Sequence, residues 1–147
     1  PKLADAALQI RFADPQNDIR VAALREAGKR RLRNPDKYIA ALGDDDDSVR
    51  NAAHEALVLS LDGKVDFGPS PAADPSQRAA SVGKWQDWRN EQIEQKAQLE
   101  LRQAKTLLKK KDKETAKAVF QRLQKIIKDY PATQAAKEAS RILKTGK

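Results

Sequence analysis

Four consecutive carboxylates, Asp44, Asp45, Asp46 and Asp47, precede the run Ser48-Val49-Arg50-Asn51-Ala52-Ala53-His54-Glu55. A calcium loop holds its ion with oxygen ligands at alternating positions of a twelve-residue frame and needs glycine at position six for the bend. Asp44, Asp46, Ser48 and Glu55 fall at positions one, three, five and twelve of such a frame. Position six is Val49, and Val49 to Ala53 continue an apolar pattern of helical period, which that loop geometry forbids. The alternative is that Asp47 or Ser48 caps a helix, its neighbours favouring the positive helix N-terminus, with Asp44 free to meet Arg20 or Arg50. Capping is the expectation, with no metal and no cofactor.

His54 is the only histidine, and cysteine is absent. A metal site built on one imidazole needs several converging carboxylates, and acid-base work needs a partner that the sequence does not place. His54 therefore reads as a surface or half-buried helix residue. Asp66-Phe67-Gly68 spells the metal-binding tripeptide of protein kinases, but the Gly-rich phosphate loop, the paired lysine and the His-Arg-Asp run are missing, so the match reads as chance. With no thiol, no acid-base pair and no phosphate cradle, the sequence reads as that of a non-enzyme.

The remaining chemistry is cationic and aromatic. The chain carries a net charge of +8. Residues 1 to 90 hold 14 Lys/Arg and 14 Asp/Glu, and residues 91 to 147 hold 15 and 7, so the whole excess lies in the last segment. Lys109, Lys110, Lys111, Lys113 and Lys117 form its densest cluster, with Arg122, Lys125 and Lys128 downstream. Such a surface favours an acidic protein partner. Phosphate contacts with nucleic acid are the alternative, but the only aromatics here are Phe120 and Tyr130, both at packing positions, so such binding is expected to be weak and indifferent to sequence. Lipid headgroups also suit these lysines. Trp85 and Trp88 stand three apart on one helical face and read either as an exposed anchor for a partner or as the clasp that docks a long helix on the rest of the chain.

These residues must be positioned by helices. Aligning Ala13–Gly28 with Gly43–Val58 at an offset of 30 places Asp14 on Asp44, Ile19 on Val49, Arg20 on Arg50, and Ala22-Ala23 on Ala52-Ala53. Each unit has a turn rich in Asp, Asn or Pro and then a helix with one apolar face. Asn34 to Leu42 reads as a shorter helix with Pro35 in its first turn and Gly43 ending it. The run from Leu61 to Lys84 is rich in Gly, Pro, Asp and Ser and reads as a loop. Three amphipathic helices come after it, Trp85 to Lys111, Glu114 to Asp129 and one beginning at Pro131, joined by turns short enough to make them antiparallel neighbours.

The twice-repeated Asp-x-x-x-x-[Ile/Val]-Arg-x-Ala-Ala run, with Arg six residues after Asp, resembles the HEAT repeat family. The resemblance implies that Asp14, Arg20, Asp44 and Arg50 belong to a ladder linking neighbouring repeats, and that the stacked helices form a protein-binding scaffold. The segment with Asp66-Phe67-Gly68 and the two tryptophans looks like the tail that succeeds HEAT repeats in bacterial, planctomycete-like proteins. The last segment resembles a tetratricopeptide repeat, through Ala104, Leu107, Ala116, Phe120 and Leu123 and through the helix start Tyr130-Pro131-Ala132-Thr133. That likeness implies a bacterial cell envelope or periplasm, with the cytoplasm still open.

The expected protein is all-α, with α-solenoid-type hairpins: HEAT-like repeats over residues 1–62, a loop over 63–84, and a tetratricopeptide-like basic hairpin with a capping helix over 85–147. It is expected to be a scaffold or adaptor in a larger assembly, with a nucleic-acid-binding module as the alternative and an accessory piece of a pigment-attaching HEAT-like lyase third. No apolar run approaches the roughly 18 residues of a membrane span. The start at Pro1 and the absence of methionine read as a processed or trimmed piece of a longer product.

Overall fold

The computed structural model describes residues 4–108 and 113–145, with the backbone alone at Lys113. The fold is all-α, and the described residues form seven α-helices and no strand: α1 (Asp5–Ile10), α2 (Asn17–Lys29), α3 (Pro35–Ala41), α4 (Asp47–Ser60), α5 (Pro75–Leu108), α6 (Lys113–Asp129) and α7 (Gln134–Thr145). Contacts divide them into two compact units, Pro1–Arg89 and Asn90–Lys147, so α5 contributes its beginning to the first and its end to the second.

In the first unit α2 and α4 pack through residues without long side chains. Ala23, Ala27 and Gly28 are buried on one helix, and Ala52, Ala53 and Ala56 on the other. A Cβ added to Gly28 would stand 2.8 Å from the Cα of Ala56, so only glycine allows this approach. Leu24, Tyr38, Leu42, Val49 and Leu57 complete the core, and the buried Tyr38 hydroxyl donates to the Leu32 carbonyl at 2.9 Å. Burial pushes that phenol up to about 12.

Both helices end in the same way. Past α2 the chain turns at Arg31 (φ +52°), with Leu32 N–H donating to Ala27 O at 3.1 Å and Arg31 N–H to Gly28 O at 2.9 Å. Past α4 it turns at Asp62 (φ +56°), with Gly63 N–H donating to Val58 O at 2.9 Å and Asp62 N–H to Leu59 O at 3.1 Å. These paired bonds satisfy the last free carbonyls of each helix. The two turn residues then meet, Arg31 Nη1 lying 2.7 Å from Asp62 Oδ1.

The segment read as a loop over 63–84 is only partly one. Helix α5 starts at Pro75, ten residues before Trp85, and runs 34 residues to Leu108. Its start is a reciprocal cap: Gln77 N–H donates to Asp74 Oδ1 at 2.8 Å, and Asp74 N–H donates to Gln77 Oε1 at 3.0 Å. With Pro75 at the first helical position, this is a complete start signal inside a stretch whose composition resembles a loop. The first unit accordingly extends through Arg89, whose guanidinium grips Asp36 of α3 with two bonds at 2.6 and 2.8 Å.

The second unit packs Ala97, Leu101 and Ala104 of α5 against Val119, Leu123 and Ile126 of α6 and Ala135, Ala136 and Ala139 of α7. Leu108, Ala116 and Phe120 are exposed, although the tetratricopeptide resemblance puts Ala116 and Phe120 at packing positions. The buried stripe of α6 is narrower than its apolar face, and Phe120 falls at the edge left uncovered. Helix α7 begins at Gln134 rather than Pro131, with Thr133 Oγ1 accepting from Ala136 N–H at 3.1 Å.

Candidate functional site

The repeated Asp and Arg positions form two geometrically equivalent clusters. Asp14 Oδ1 accepts from Gln16 N–H at 3.0 Å, and Asp44 Oδ1 accepts from Asp46 N–H at 3.0 Å. Arg20 Nη1 donates to the carbonyls of Asp14 and Pro15 at 2.8 and 3.3 Å, and Arg50 Nη1 to those of Asp44 and Asp45 at 2.6 and 2.8 Å. A spacing of six residues brings each arginine back over the turn that precedes its own helix. One bond then crosses between units: Arg20 Nη2 donates to Asp44 Oδ1 at 2.8 Å, with both side chains largely buried. Asn17 Nδ2 adds a second crossing to Asp46 Oδ2 at 2.7 Å. Asp44 thus holds the preceding unit by its carboxylate and its own unit by its carbonyl. Burial pushes its pKa up, but the Arg20 and Asp46 hydrogen bonds and the charges of Arg20 and Arg50 prevail and hold it below the usual carboxylate range.

The cap of α4 is Asp46, not Asp47 or Ser48. Its Oδ1 accepts from Ser48 N–H at 2.8 Å and Val49 N–H at 3.1 Å. Asp47 instead contacts Arg50 one turn on. The four aspartates therefore have four environments: a crossing bridge at Asp44, an exposed turn at Asp45, a cap at Asp46 and a helix-surface pair at Asp47. Among the described residues no three His, Asp or Glu side chains are grouped closely enough to hold a metal ion.

Trp85 is 0% exposed. Its indole N–H donates to the Gly68 carbonyl at 2.7 Å, the Phe67 ring meets it edge-on at 4.9 Å, and Trp88 meets it at 5.8 Å and 90°. Of the two sequence readings, this is the geometry of the clasp, and it leaves Trp85 no surface to offer a partner; Trp88 is half-buried. The chance kinase-like tripeptide is the receiving half of that clasp. Its aspartate, Asp66, accepts from Gly68 N–H at 2.8 Å and lies 2.7 Å from His54 Nε2, which supplies the partner missing from the sequence reading. The His54 bond, foremost, holds Asp66 below the usual carboxylate range. The pair fastens the segment after α4 back onto that helix.

In the second unit Lys109, Lys110 and Lys111 lie outside the described residues, and Lys113 is described only as the first residue of α6. Lys117, Arg122, Lys125 and Lys128 are exposed along α6, and Lys137, Arg141 and Lys144 along α7. Phe120 is 50% exposed among them. Glu94 of α5 accepts from the N–H groups of Gln134 and Ala135 at 2.8 and 3.3 Å and so caps α7 from a neighbouring helix. Tyr130 donates to Glu100 Oε1 at 2.8 Å and is pushed up to about 12, by burial first and then by that carboxylate. Sequence reasoning missed Glu94, Asp36 and Arg89, for which periodicity gives no signal.

Compared with models of known protein families, with curated proteins and with solved structures, the chain matches none.

Proposed function

We propose that this chain is a non-catalytic scaffold or adaptor, made of HEAT-like units followed by a tetratricopeptide-like unit, and that its C-terminal helices hold an acidic protein partner. The observation that carries the reading is Phe120, half exposed on the cationic outer face of α6 beside Lys117 and Gln124. An exposed large aromatic on a helix that also carries Lys117, Arg122, Lys125 and Lys128 suits an interface anchor, since aromatic residues concentrate binding energy and charges nearby select the sign of the partner. The crossing bond from Arg20 to Asp44 supports the HEAT-like assignment, because it joins the repeated arginine of one unit to the repeated aspartate of the next.

The test compares the parent with a Phe120→Ser, Lys117→Glu variant in capture from the native source followed by mass spectrometry. An acidic protein retained by the parent and lost by an equally stable variant is the expected result. Equal retention by both removes the proposed surface.

The charge distribution favours one second reading, a nucleic-acid module. Its binding would be indifferent to sequence, with dissociation constants of about 10⁻⁴ to 10⁻⁶ M at physiological salt. Nanomolar binding to one defined sequence at that salt would replace the scaffold reading.

A further inference from the structure

Among the described residues, Arg31 and Asp62 are the two other than glycine with a positive φ, and they are bonded to each other. One stands in the turn that closes α2 and the other in the turn that closes α4, so the ion pair joins two costly backbone conformations of successive units. Asp62 is also the one aspartate of the chain that precedes a glycine.

An Asp-Gly pair is open to a reaction that needs no enzyme. The Gly63 amide nitrogen attacks Cγ of Asp62 and gives up its proton, an oxygen of the carboxyl group departs as water, and a five-membered imide closes. Water then reopens the ring at one of its two carbonyls. Opening at the side-chain carbonyl restores aspartate. Opening at the main-chain carbonyl leaves isoaspartate, in which the chain runs through the former side chain and the backbone is one carbon longer. The turn is accessible to water: the side chains of Arg31 and Asp62 are 66% and 37% exposed, and no atom beyond its chain neighbours lies within 4 Å of where a Cβ on Gly63 would stand.

The folded turn nevertheless ties down both reacting groups. Gly63 N–H donates to Val58 O at 2.9 Å and is directed at the last turn of α4 rather than at the neighbouring carboxyl group. Asp62 Oδ1 is held by Arg31 Nη1 at 2.7 Å. We propose that Asp62-Gly63 is a latent isomerisation site, and that Arg31 of the preceding unit is the positioning residue that keeps it closed. Conversion to isoaspartate displaces the Gly63 N–H from Val58 O, and the remaining carboxylate, now borne directly on Cα, leaves the place that Arg31 grips. The reaction therefore undoes the closure of α4 and its tie to the turn after α2 in one event. The site is independent of the basic C-terminal helices and of the function proposed for them.

The test follows isoaspartate in the full chain during incubation in warm neutral buffer, with and without urea, for the parent, Arg31→Gln and Arg31→Lys. Peptide mapping with electron-transfer fragmentation tells isoaspartate from aspartate at equal mass. The expected result is isoaspartate at residue 62, formed more slowly in native buffer than in urea. In native buffer Arg31→Gln should form it about two- to fivefold faster than the parent, the range over which an exposed ion pair shifts a local opening equilibrium. Arg31→Lys should stay close to the parent, and all three should react at one rate in urea, where the turn is absent. Amide exchange keeps a local effect apart from global unfolding: Gly63 should exchange faster in Arg31→Gln, while the buried Leu24 and Leu57 keep the parent's rates. Equal native rates for the parent and Arg31→Gln, a native rate equal to that in urea, different rates for the variants in urea, faster exchange at Leu24 and Leu57, or isoaspartate at another aspartate before residue 62 would each overturn the proposal.

Discussion

Replacing Trp85 by Ala isolates the clasp between α5 and the segment after α4. The ring is fully buried between Phe67 and Trp88, so the substitution opens a large cavity, and truncation of a buried Phe or Trp to Ala costs about 3 to 5 kcal/mol. It also strips the Gly68 carbonyl of its donor, which adds roughly 1 kcal/mol or more. Domains of this size have roughly 5 to 15 kcal/mol in total, so the variant should be left marginal. Each kcal/mol lowers the melting temperature of a 60–100-residue domain by about 4 to 8 °C, so a fall of at least about 12 °C is expected. Urea unfolding monitored by far-ultraviolet circular dichroism measures this without relying on the fluorophore being removed. Trp85→Phe separates the two contributions: it keeps most of the ring and loses the N–H, and should cost clearly less than Trp85→Ala. A loss below about 1 kcal/mol for Trp85→Ala, or equal losses for the two variants, would refute the clasp.

Gly28→Ala should destabilise by about 1 to 3 kcal/mol, read by the same unfolding curves, because the new methyl meets the Ala56 backbone rather than a side chain that can move. Asp44 has a depressed pKa in the folded state, so its contribution is full above the ordinary carboxylate value of 3.8 and is lost as pH falls below it. The melting temperature of the parent should therefore drop below about pH 4, and Asp44→Asn should flatten that part of the profile while lowering the plateau. Asp46→Ala should cost about 0.5 to 2 kcal/mol through loss of the α4 cap. The joint Asp45→Asn, Asp46→Asn variant and the parent should both melt at temperatures unaffected by calcium; a calcium-dependent rise in the parent that disappears in the variant would make the aspartate run an ion site.

The parts of this protein legible in the sequence are those whose geometry is local. The Asp-to-Arg spacing of six is one turn plus the entry to a helix, so the contact of Arg20 with the Asp14 carbonyl and that of Arg50 with the Asp44 carbonyl repeat wherever the spacing does. The start of α5 is hidden for a different reason: Asp74, Pro75 and Gln77 carry its signal, but Pro, Ser and Gly around them weigh toward loop when composition is read as a whole. Trp85 and Gly68 are 17 residues apart, and no local rule pairs them. Phe120 shows the limit of periodicity. A 3.6-residue period finds the apolar side of α6, but how much of that side is covered depends on how many helices pack there, and Phe120 lies beyond the covered part.

The meeting of α2 and α4 through Ala23, Ala27, Gly28, Ala52, Ala53 and Ala56 has a consequence for how the repeated units are joined. Alanine and glycine have no side-chain rotamers to lose, so this contact forms without the entropy cost of freezing longer side chains. It also offers no rotamer with which to absorb an added group, as the 2.8 Å approach at Gly28 makes plain. The separation of the two helices is therefore set by backbone against backbone. Arg20 rides on one of those backbones, and Asp44 stands just before the other. The seam works as a spacer of fixed thickness, and it holds the crossing hydrogen bond at bonding length in a way that leucines, which can repack, would not.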